Sequence, residues 1–281
     1  MIIDGKKIGE EIQAELAQKI RGHTPVLGVI LVGANPASQI YVQAKRKACA
    51  AVGIESKLLS LPNSIAEINL IEHIEQWNRD PSIHGILIQF PLPPHISETA
   101  IVRAIDPTKD VDGFHPINVG KLLLGQEDGF VPCTPLGIQC LLEKSHIPVM
   151  GKHVVIVGRS NLVGKPLAAL LVQKKPHCNA TVTLAHSQSE NLADLTRSAD
   201  ILVAAIGSPQ FITREMVRPG AVVIDVGINR SLGNQIVGDV DFEQVKEIAS
   251  HITPVPRGVG PMTIAMLLRN TLKAYDPHCL L

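Results

Sequence analysis

Three residues of one predicted helix carry side chains suited to proton chemistry. Tyr41 and Lys45 are four positions apart in SQIYVQAKRKACAAVG, and Ser38 stands one turn earlier. Residues at this spacing project from one face of a helix, so a phenol, an ammonium group and a hydroxyl would share a surface. Two interpretations are open. Lys45 either belongs to a solvated basic cluster with its two neighbours or lies in a cleft and takes part in proton transfer.

Gln89 is a second candidate, at the end of a predicted strand in HGILIQFPLPPH. The prolines that follow cannot continue a β-ladder, so the strand must stop there. Open α/β sheets bind ligands at the carboxyl ends of their parallel strands, which makes Gln89 a candidate site residue. The alternative is an amide that only satisfies loop backbone.

The segment DPTKDVDGFHPINVG, residues 106–120, is polar and rich in Gly and Pro, and it is predicted to be an ordered loop. Its acidic residues lack the Gly and the terminal Glu of an EF-hand loop, so a cation site is not expected. A carboxylate on a loop beside a cleft could instead accept hydrogen bonds from substrate N–H groups.

A nucleotide-binding turn is indicated by GKHVVIVGRSNLVGKP, residues 151–166. It reads as a buried strand, a sharp turn at Gly158 and a helix start at which Gly164 permits close packing and Pro166 suits the first turn. A helix start attracts anions, so a pyrophosphate could bind here. Ser160 stands where the second glycine of G-x-G-x-x-G would be, so a turn that binds nothing is the alternative.

The cofactor preference follows from the next predicted strand, TVTLAHS, residues 181–187. It ends without the acidic residue that would hold a ribose 2′-hydroxyl. Arg159 and Ser187 offer a cation and a hydroxyl, which suit a 2′-phosphate. NADP is therefore favoured over NAD.

Composition bounds the class of protein. The 281 residues allow one large or two modest domains, and 26 acidic residues balance 26 basic ones, so no global field favours nucleic acid or a membrane surface. The apolar runs are too short for a membrane span and the start lacks a signal-peptide core, so a cytoplasmic protein is expected. The cysteines form no C-x-x-C pair and the histidines no H-x-x-x-H pattern, so no metal is predicted.

Strand-like and helix-like segments alternate along the chain, which predicts an α/β fold with parallel sheets. Residues 199–207 and 221–229 are predicted to contain buried strands, the second ending near the cofactor site. A domain boundary is expected near 138. An amphipathic helix at about 262–275 must cover its apolar stripe, and packing on the first domain would do so.

Together these segments resemble the bifunctional methylenetetrahydrofolate dehydrogenase/cyclohydrolase enzymes of one-carbon metabolism. The resemblance covers essentially the whole chain. It is carried by VGANPASQIYVQAKRKACAAVGI, GILIQFPLPPHI, PTKDVDGFHPINVG, PCTPLGI, VVIVGRSNLVGKP, ATVTLAHS, GDVDF and TPVPRGVGPMT.

The resemblance implies a folate-binding catalytic domain, residues 1–138, with the segment 262–281 packing back on it, and a Rossmann-type NADP-binding domain, residues 139–261. It also implies a folate cleft between the domains and a homodimer. Lys45 would be the catalytic lysine, Gln89 would assist it, Asp112 would anchor the pterin and Tyr41 would stack on the pterin. Further positions implied to contact substrate or cofactor are Ser38 and Pro261 for the folate, and Gly158, Arg159, Ser160, Thr183, Ser187 and Ile228 for NADP.

Two positions depart from the family pattern. Phe90 replaces the leucine of Q-L-P-L-P, and Arg257 replaces a glycine of P-G-G-V-G-P-M-T. A glycine tolerates positive φ and an arginine does not do so freely, so the backbone at Arg257 is in question. Its side chain would either face solvent or add a cation near the folate tail.

Two rival functions remain open. A shikimate-type dehydrogenase also places a substrate domain before an NADP domain, but it would need a Lys/Asp pair acting on a hydroxy acid. A nucleotide-sensing or scaffold protein that kept the fold is the non-enzyme alternative.

Overall fold

A computed structural model of the chain describes residues 1–230 and 235–279, which fold into two compact units. The amino-terminal unit contains residues 11–133 and the residues from 264 onward. The carboxyl-terminal unit contains residues 1–10 and 134–263. The predicted domain limits, residues 138 and 261, stay predictions about the functional domains. The chain passes from one compact unit to the other at slightly different positions, after residues 133 and 263.

The first ten residues differ from the predicted division, because they belong to the carboxyl-terminal unit. Ile3 N donates to Ile252 O at 2.8 Å, and Ile252 N donates to Met1 O at 3.0 Å. These backbone hydrogen bonds attach the start of the chain to a strand of that unit. Backbone pairing of this kind leaves no pattern in the side chains of so short a segment.

Helices and strands alternate over much of the chain, but the prediction of alternation along the whole chain is wrong, because three helices follow one another between residues 98 and 144. The helices are α1 (Gly5–Lys19), α2 (Pro36–Val52), α3 (Glu67–Arg79), α4 (Glu98–Ala104), α5 (Pro116–Leu123), α6 (Cys133–Lys144), α7 (Gly164–Leu171), α8 (Leu192–Arg197), α9 (Phe242–Val245) and α10 (Val259–Tyr275). The strands are β1 (Val26–Val32), β2 (Glu55–Leu61), β3 (Gly85–Ile88), β4 (His153–Val157), β5 (Thr181–Ala185), β6 (Ile201–Ala204), β7 (Val222–Asp225), β8 (Asn229–Arg230), β9 (Ile236–Val237) and β10 (His251–Ile252).

The amino-terminal unit is built on a parallel sheet with the strand order β2-β1-β3. Every residue of the central strand β1 is buried. Such a continuous apolar run is typical of a parallel strand covered on both faces. Gln89 N extends the ladder by donating to Ile30 O at 2.9 Å, so Gln89 lies at the carboxyl edge of this sheet.

Helix α2 has the limits that its sequence predicts. Asn35 caps its start by accepting hydrogen bonds from Ala37 N at 2.9 Å and Ser38 N at 3.2 Å, and Pro36 follows as the first helical residue. Gly53 ends the helix with φ = 91°, a left-handed conformation that glycine adopts without steric cost. The predicted helix is confirmed.

The prediction of an irregular loop for residues 106–120 is wrong in its last part, because α5 begins at Pro116. His115 is the N-cap, and its Nδ1 accepts a hydrogen bond from Ile117 N at 3.1 Å. Proline is common at the first position of a helix, where its missing N–H is not needed. The density of Gly and Pro in the segment conceals this start signal.

The carboxyl-terminal unit contains a parallel sheet with the strand order β10-β7-β6-β4-β5. Four of the five residues of β4 are buried, as the β-branched run predicts. Because the strands are parallel, the loops that follow β4, β5, β6 and β7 meet at one edge of the sheet. The predicted Rossmann-type arrangement therefore places the Gly158 turn beside three other loops.

Residues of α10 from Ile264 onward pack within the amino-terminal unit. Asn270 is buried, and its Nδ2 donates to Val111 O at 2.8 Å and to Val131 O at 3.1 Å. Residues 280 and 281 of the predicted segment 262–281 lie outside the described residues. Across the described ranges, every helix is too short or too polar to cross a membrane.

Candidate functional site

Lys45 and Gln89 are joined by a hydrogen bond. Lys45 Nζ donates to Gln89 Oε1 at 3.1 Å, and Gln89 Nε2 donates to Phe90 O at 2.7 Å. A lysine ammonium only donates and a carbonyl only accepts, so these two partners fix which way the amide points. Gln89 is 9 % exposed and Lys45 is half-buried, whereas Arg46 and Lys47 are exposed. Lys45 is thus set apart from the solvated basic cluster, and Gln89 satisfies loop backbone and holds the lysine at once.

Asp112 supplies a carboxylate in the same unit. Burial raises its pKa to about 6; the charge of Lys45 opposes this shift and the nearby carboxylate of Asp110 adds to it. Cys133 Sγ lies 3.4 Å from Val111 O and 3.9 Å from Asp112 Oδ1, so its single proton has two acceptors within reach. An ammonium group and a carboxylate therefore act on each other electrostatically beside the end of β3.

Asp110 is a functional neighbour that sequence reasoning missed. It is 1 % exposed and accepts hydrogen bonds from Gly113 N at 3.2 Å, Phe114 N at 3.3 Å, His115 N at 2.8 Å and Asn118 Nδ2 at 2.9 Å. Burial raises the pKa of this carboxyl, and the hydrogen bonds oppose the shift. Asp110 closes the turn that presents Asp112. The signal available in the sequence was an aspartate three residues before a glycine.

The conformation of this turn also requires its glycine. Gly113 has φ = 74°, and a Cβ at this position would lie 2.7 Å from Pro132 N. A side chain would meet both steric obstacles at once. The DVDG motif therefore combines a buried acid that closes the turn, Asp110, an acid that the turn carries, Asp112, and a glycine that the turn conformation requires, Gly113.

Ser38 and Tyr41 lie on α2 with Lys45 but differ in exposure. Ser38 is buried, whereas Tyr41 is 43 % exposed. The side chain of Tyr41 therefore offers an accessible aromatic face one helical turn from Lys45. An accessible aromatic face beside charged groups is suited to stacking on a planar ring.

The turn after β4 has no room for side chains at its two glycines. Gly158 has φ = 123°, and a Cβ there would lie 2.0 Å from Ala205 O. A Cβ on Gly164 would lie 1.9 Å from Gly158 O. Ser160 Oγ accepts a hydrogen bond from Val163 N at 3.1 Å, which replaces the missing second glycine with a side-chain contact inside the turn.

Arg159 and Ser187 are exposed and follow neighbouring strands. β4 and β5 pair in parallel, with Val157 opposite Ala185, so both residues lie at the same edge of the sheet. A cation and a hydroxyl beside a glycine turn at the start of α7 fit the phosphates of a dinucleotide. The observation that supports this fit is the absence of space for any Cβ at positions 158 and 164.

Ile228 and Thr183, the other two residues predicted to contact the cofactor, lie in different parts of the unit. Ile228 is exposed and follows β7, and its Cδ1 lies 4.0 Å from where a Cβ of Gly260 would be, one residue before Pro261. Thr183 lies in the middle of β5, where its Oγ1 is 2.9 Å from Nε2 of His153, the first residue of β4. This contact is toward the end of β4 opposite Gly158. A cofactor role for Thr183 stays a prediction.

The two departures from the family pattern have defined places. Arg257 has φ = 85°, and its guanidinium forms an exposed ion pair with Asp4 at 3.0 Å. The backbone therefore takes the left-handed conformation that the usual glycine favours. The ring of Phe90 lies 6.5 Å from that of Phe114, centroid to centroid, in a tilted arrangement.

Two family models match the chain. Residues 3–112 match the catalytic domain of tetrahydrofolate dehydrogenase/cyclohydrolase, and residues 132–279 match its NAD(P)-binding domain. The bifunctional protein FolD of Protochlamydia amoebophila (strain UWE25) is 56 % identical over 285 residues, which is 98 % of each chain.

Solved structures agree with this match. The bifunctional enzyme FolD of Campylobacter jejuni, a methylenetetrahydrofolate dehydrogenase/cyclohydrolase, is 48 % identical over 99 % of each chain, with a TM-score of 0.95. The Trypanosoma brucei enzyme, solved with NADP cofactor and inhibitor, is 38 % identical over 99 % of this chain and 97 % of its own, with a TM-score of 0.92. The chain therefore belongs to the tetrahydrofolate dehydrogenase/cyclohydrolase family, with a catalytic domain followed by an NAD(P)-binding domain.

Proposed function

We propose that this protein is a bifunctional enzyme that oxidises 5,10-methylenetetrahydrofolate with NADP and then hydrolyses the 5,10-methenyltetrahydrofolate produced to 10-formyltetrahydrofolate. The observation that carries the proposal is the group formed by Lys45, Gln89 and Asp112. The second reaction requires a group that transfers protons, a partner that holds this group, and a carboxylate that binds the pterin. Family membership and the printed function of the Campylobacter jejuni relative support both activities.

NADP is the proposed cofactor, and when bound it accepts a hydride from the methylene carbon of the folate. The turn at Gly158 would hold the pyrophosphate, and Ser160 and Ile228 would line the same site. Arg159 and Ser187 would hold the 2′-phosphate, since a charge-assisted contact to phosphate is among the stronger hydrogen bonds of proteins. The NADP complex of the Trypanosoma brucei relative supports this preference.

The folate is oriented by residues of the amino-terminal unit. Asp112, when ionised, accepts hydrogen bonds from N–H groups of the pterin, and the exposed ring of Tyr41 stacks on the pterin. Ser38 is a further proposed contact from this unit. Pro261, which belongs to the carboxyl-terminal unit, stays a prediction of the family resemblance. Holding the substrate in a reactive orientation is the main contribution that the protein makes to hydride transfer.

The hydrolysis uses Lys45 for proton transfer. Water adds to the methenyl carbon and loses a proton, which gives a neutral hydroxyl adduct. The hydroxyl then loses its proton as the carbonyl forms, the bond from this carbon to N5 breaks and N5 gains a proton. The formyl group remains on N10, and one proton is released overall. In this proposal Lys45 Nζ moves these protons, and its hydrogen bond to Gln89 Oε1 supports the role by holding the ammonium group in position. General acid–base catalysis of this kind contributes about 10²–10⁴-fold.

A single spectrophotometric experiment tests the proposal. The protein is mixed with methylenetetrahydrofolate and NADP, and the absorbances of NADPH and of the methenyl compound are followed together. NADPH formation with transient methenyl accumulation is expected. Absence of NADPH formation would refute the dehydrogenase activity, and a methenyl signal that decays only at the uncatalysed rate would refute the cyclohydrolase activity.

A cytoplasmic homodimer is the proposed state of the protein, supported by the resemblance of the whole chain to the family. Light scattering should give twice the mass of one chain. A mass equal to one chain at the concentration used for the assay would contradict the dimer.

A further inference from the structure

Asp239 is a buried acid in the motif GDVDF that the proposed reaction does not use. It has no exposed surface. Its carboxylate accepts hydrogen bonds from the backbone N–H groups of three consecutive residues and from one side-chain amide. The donors are Ile206 N at 2.6 Å and Gly207 N at 3.0 Å on Oδ2, and Ser208 N at 3.0 Å and Asn229 Nδ2 at 2.8 Å on Oδ1.

The three consecutive donors belong to the loop that follows β6. This loop starts beside the nucleotide turn, since Ala205 N donates to Val157 O at 2.8 Å and Ala205 O occupies the space that a Cβ on Gly158 would need. A displacement of residues 205–208 would therefore change the space around Gly158.

The fourth donor, Asn229, is the first residue of β8, which follows β7, the next strand of the sheet, after a short connection. Asn229 is adjacent to Ile228, whose side chain is 53 % exposed at this edge. One carboxylate thus connects the loop that touches the nucleotide turn with the loop that carries Ile228.

A second buried acid holds Asp239 in place. Asp225 Oδ1 accepts from Gly227 N and from Asp239 N, both at 2.9 Å, and Asp225 Oδ2 accepts from Val240 N at 3.0 Å. Asp225 therefore fixes both the backbone of Asp239 and that of Gly227, which precedes Ile228.

Only a carboxylate provides this set of contacts. Each oxygen of Asp239 accepts two hydrogen bonds, whereas an asparagine has one oxygen and an NH₂ group that would face N–H donors. Buried N–H groups that lose their acceptor are costly, so the loops would have to move to find other partners.

We propose that Asp239 is a positioning residue for the nicotinamide cofactor. It acts through residues 205–208, in the loop after β6, and through residues 226–229, which lead from β7 into β8. This inference rests on the proposed function, because it assumes that the edge of the sheet next to Gly158 holds NADP. In this proposal Asp239 itself, being buried, contacts neither substrate nor cofactor. It fixes the positions of the loop backbone and of Ile228, and these contact the cofactor.

The test compares the two activities of one variant, Asp239→Asn. The dehydrogenase reaction needs NADP, and hydrolysis of methenyltetrahydrofolate needs none. We expect the KM for NADP to rise by about tenfold or more, which corresponds to the loss of one or two charge-assisted hydrogen bonds. The kcat at saturating NADP should fall by less than about threefold, and the cyclohydrolase rate should stay within about twofold of wild type.

Two further variants make the test specific. Asp200→Asn changes an acid at the opposite edge of the same sheet, where it accepts from His153 N at 2.8 Å and pairs with Arg218, and it should leave the KM for NADP unchanged. Asn229→Ser removes only the side-chain contact to Asp239 and should raise the KM for NADP about threefold. This variant decides the matter if Asp239→Asn does not fold.

The inference is overturned if Asp239→Asn folds and binds NADP as wild type does, or if Asn229→Ser does so when Asp239→Asn cannot be obtained. It is also overturned if cyclohydrolase activity falls as much as NADP affinity, since that would mean a general loss of structure. Calorimetric titration with NADP separates this result from a failure of the proposed function, because it measures binding whether or not the folate is a substrate.

Discussion

The side chain of Gln89 accepts a hydrogen bond from Lys45 Nζ at 3.1 Å, and its own amide nitrogen is held by Phe90 O. The residues are 44 positions apart in the chain, on α2 and at the end of β3. The contact fixes the ammonium group without adding a charge to it. A glutamine therefore holds Lys45 in place without adding a charge beside it, as the proposed proton-transfer role requires.

Replacement of the lysine tests the hydrolytic step most directly. Lys45→Met keeps much of the apolar stem but removes the ammonium group that is proposed to move protons. We expect the cyclohydrolase rate to fall by about 10²-fold or more, with NADP affinity unchanged. Initial rates with methenyltetrahydrofolate measure the first quantity and calorimetric titration measures the second.

The matched control is Lys47→Met, which removes an exposed lysine of the same helix. It should hydrolyse methenyltetrahydrofolate at the wild-type rate. If Lys45→Met also retains the wild-type rate, the proton-transfer role of Lys45 is wrong.

A charged residue at position 89 should be harmful even though it keeps the contact with the lysine. In Gln89→Glu the carboxylate forms an ion pair with Lys45, which favours the charged form of the lysine, and it faces Phe90 O with no proton to donate. We expect at least about a tenfold loss of cyclohydrolase rate. A pH–rate profile measures it, and an unchanged rate across the profile would show that Gln89 does not control Lys45.

The cofactor preference should depend on Arg159. Arg159→Ala removes a guanidinium from the exposed turn, so the affinity for NADP should fall by about 10–100-fold while that for NAD changes little. The KM values for both cofactors in the dehydrogenase assay give the comparison. Lys165→Ala is the control, since Lys165 Nζ is bound to Asn161 Oδ1 at 2.8 Å within the same turn. Equal losses for NADP and NAD in Arg159→Ala would mean that the 2′-phosphate is bound elsewhere.

Asp112 should give the dehydrogenase activity a dependence on pH. Its pKa is raised to about 6, so the carboxylate that is proposed to accept pterin hydrogen bonds is lost as the pH falls below that value. We expect kcat/KM for methylenetetrahydrofolate to fall below pH ~6 in the wild type, because kcat/KM reports the ionisation of the free enzyme. Asp112→Asn should have a lower kcat/KM throughout, without this inflection.

The same pKa shift has the opposite effect on stability. The pKa of Asp112 is higher in the folded state than in the unfolded chain, so folding favours its protonated form. The contribution of Asp112 to the free energy of unfolding should therefore fall as the pH rises from about 4 to about 6 and stay lower above that range. Urea titrations at several pH values measure this contribution. Between about pH 4 and about pH 6, the free energy of unfolding should fall less in Asp112→Asn than in the wild type. Identical pH dependence in the two proteins would contradict the shift.

Arg257 allows a test of backbone strain at a residue with φ = 85°. Arg257→Ala and Arg257→Gly both remove the ion pair with Asp4, but only glycine adopts this conformation freely. We expect Arg257→Gly to be more stable than Arg257→Ala by about 1 kcal/mol in free energy of unfolding. Equal stabilities in urea titrations would mean that this loop carries no measurable strain.

Much of the fold follows from the sequence. The apolar run of β1 and the β-branched run of β4 predict buried parallel strands, and Asn35, Pro36 and Gly53 mark both ends of α2. These signals depend only on each residue and its nearest neighbours. The motifs around Lys45, Gln89, Asp112 and Gly158 likewise allow the family to be recognised from the sequence, and the comparisons confirm it.

The tertiary structure decides the features that depend on distant partners. Sequence spacing left the role of Lys45 open between a solvated cluster and a site, and the hydrogen bond to Gln89 sets it apart from the cluster. The attachment of residues 1–10 to β10 and the buried acids Asp110 and Asp239 were not predicted. An acidic side chain in a loop looks solvated in the sequence, and only the fold shows which backbone N–H groups surround it and thereby stabilise a buried charge.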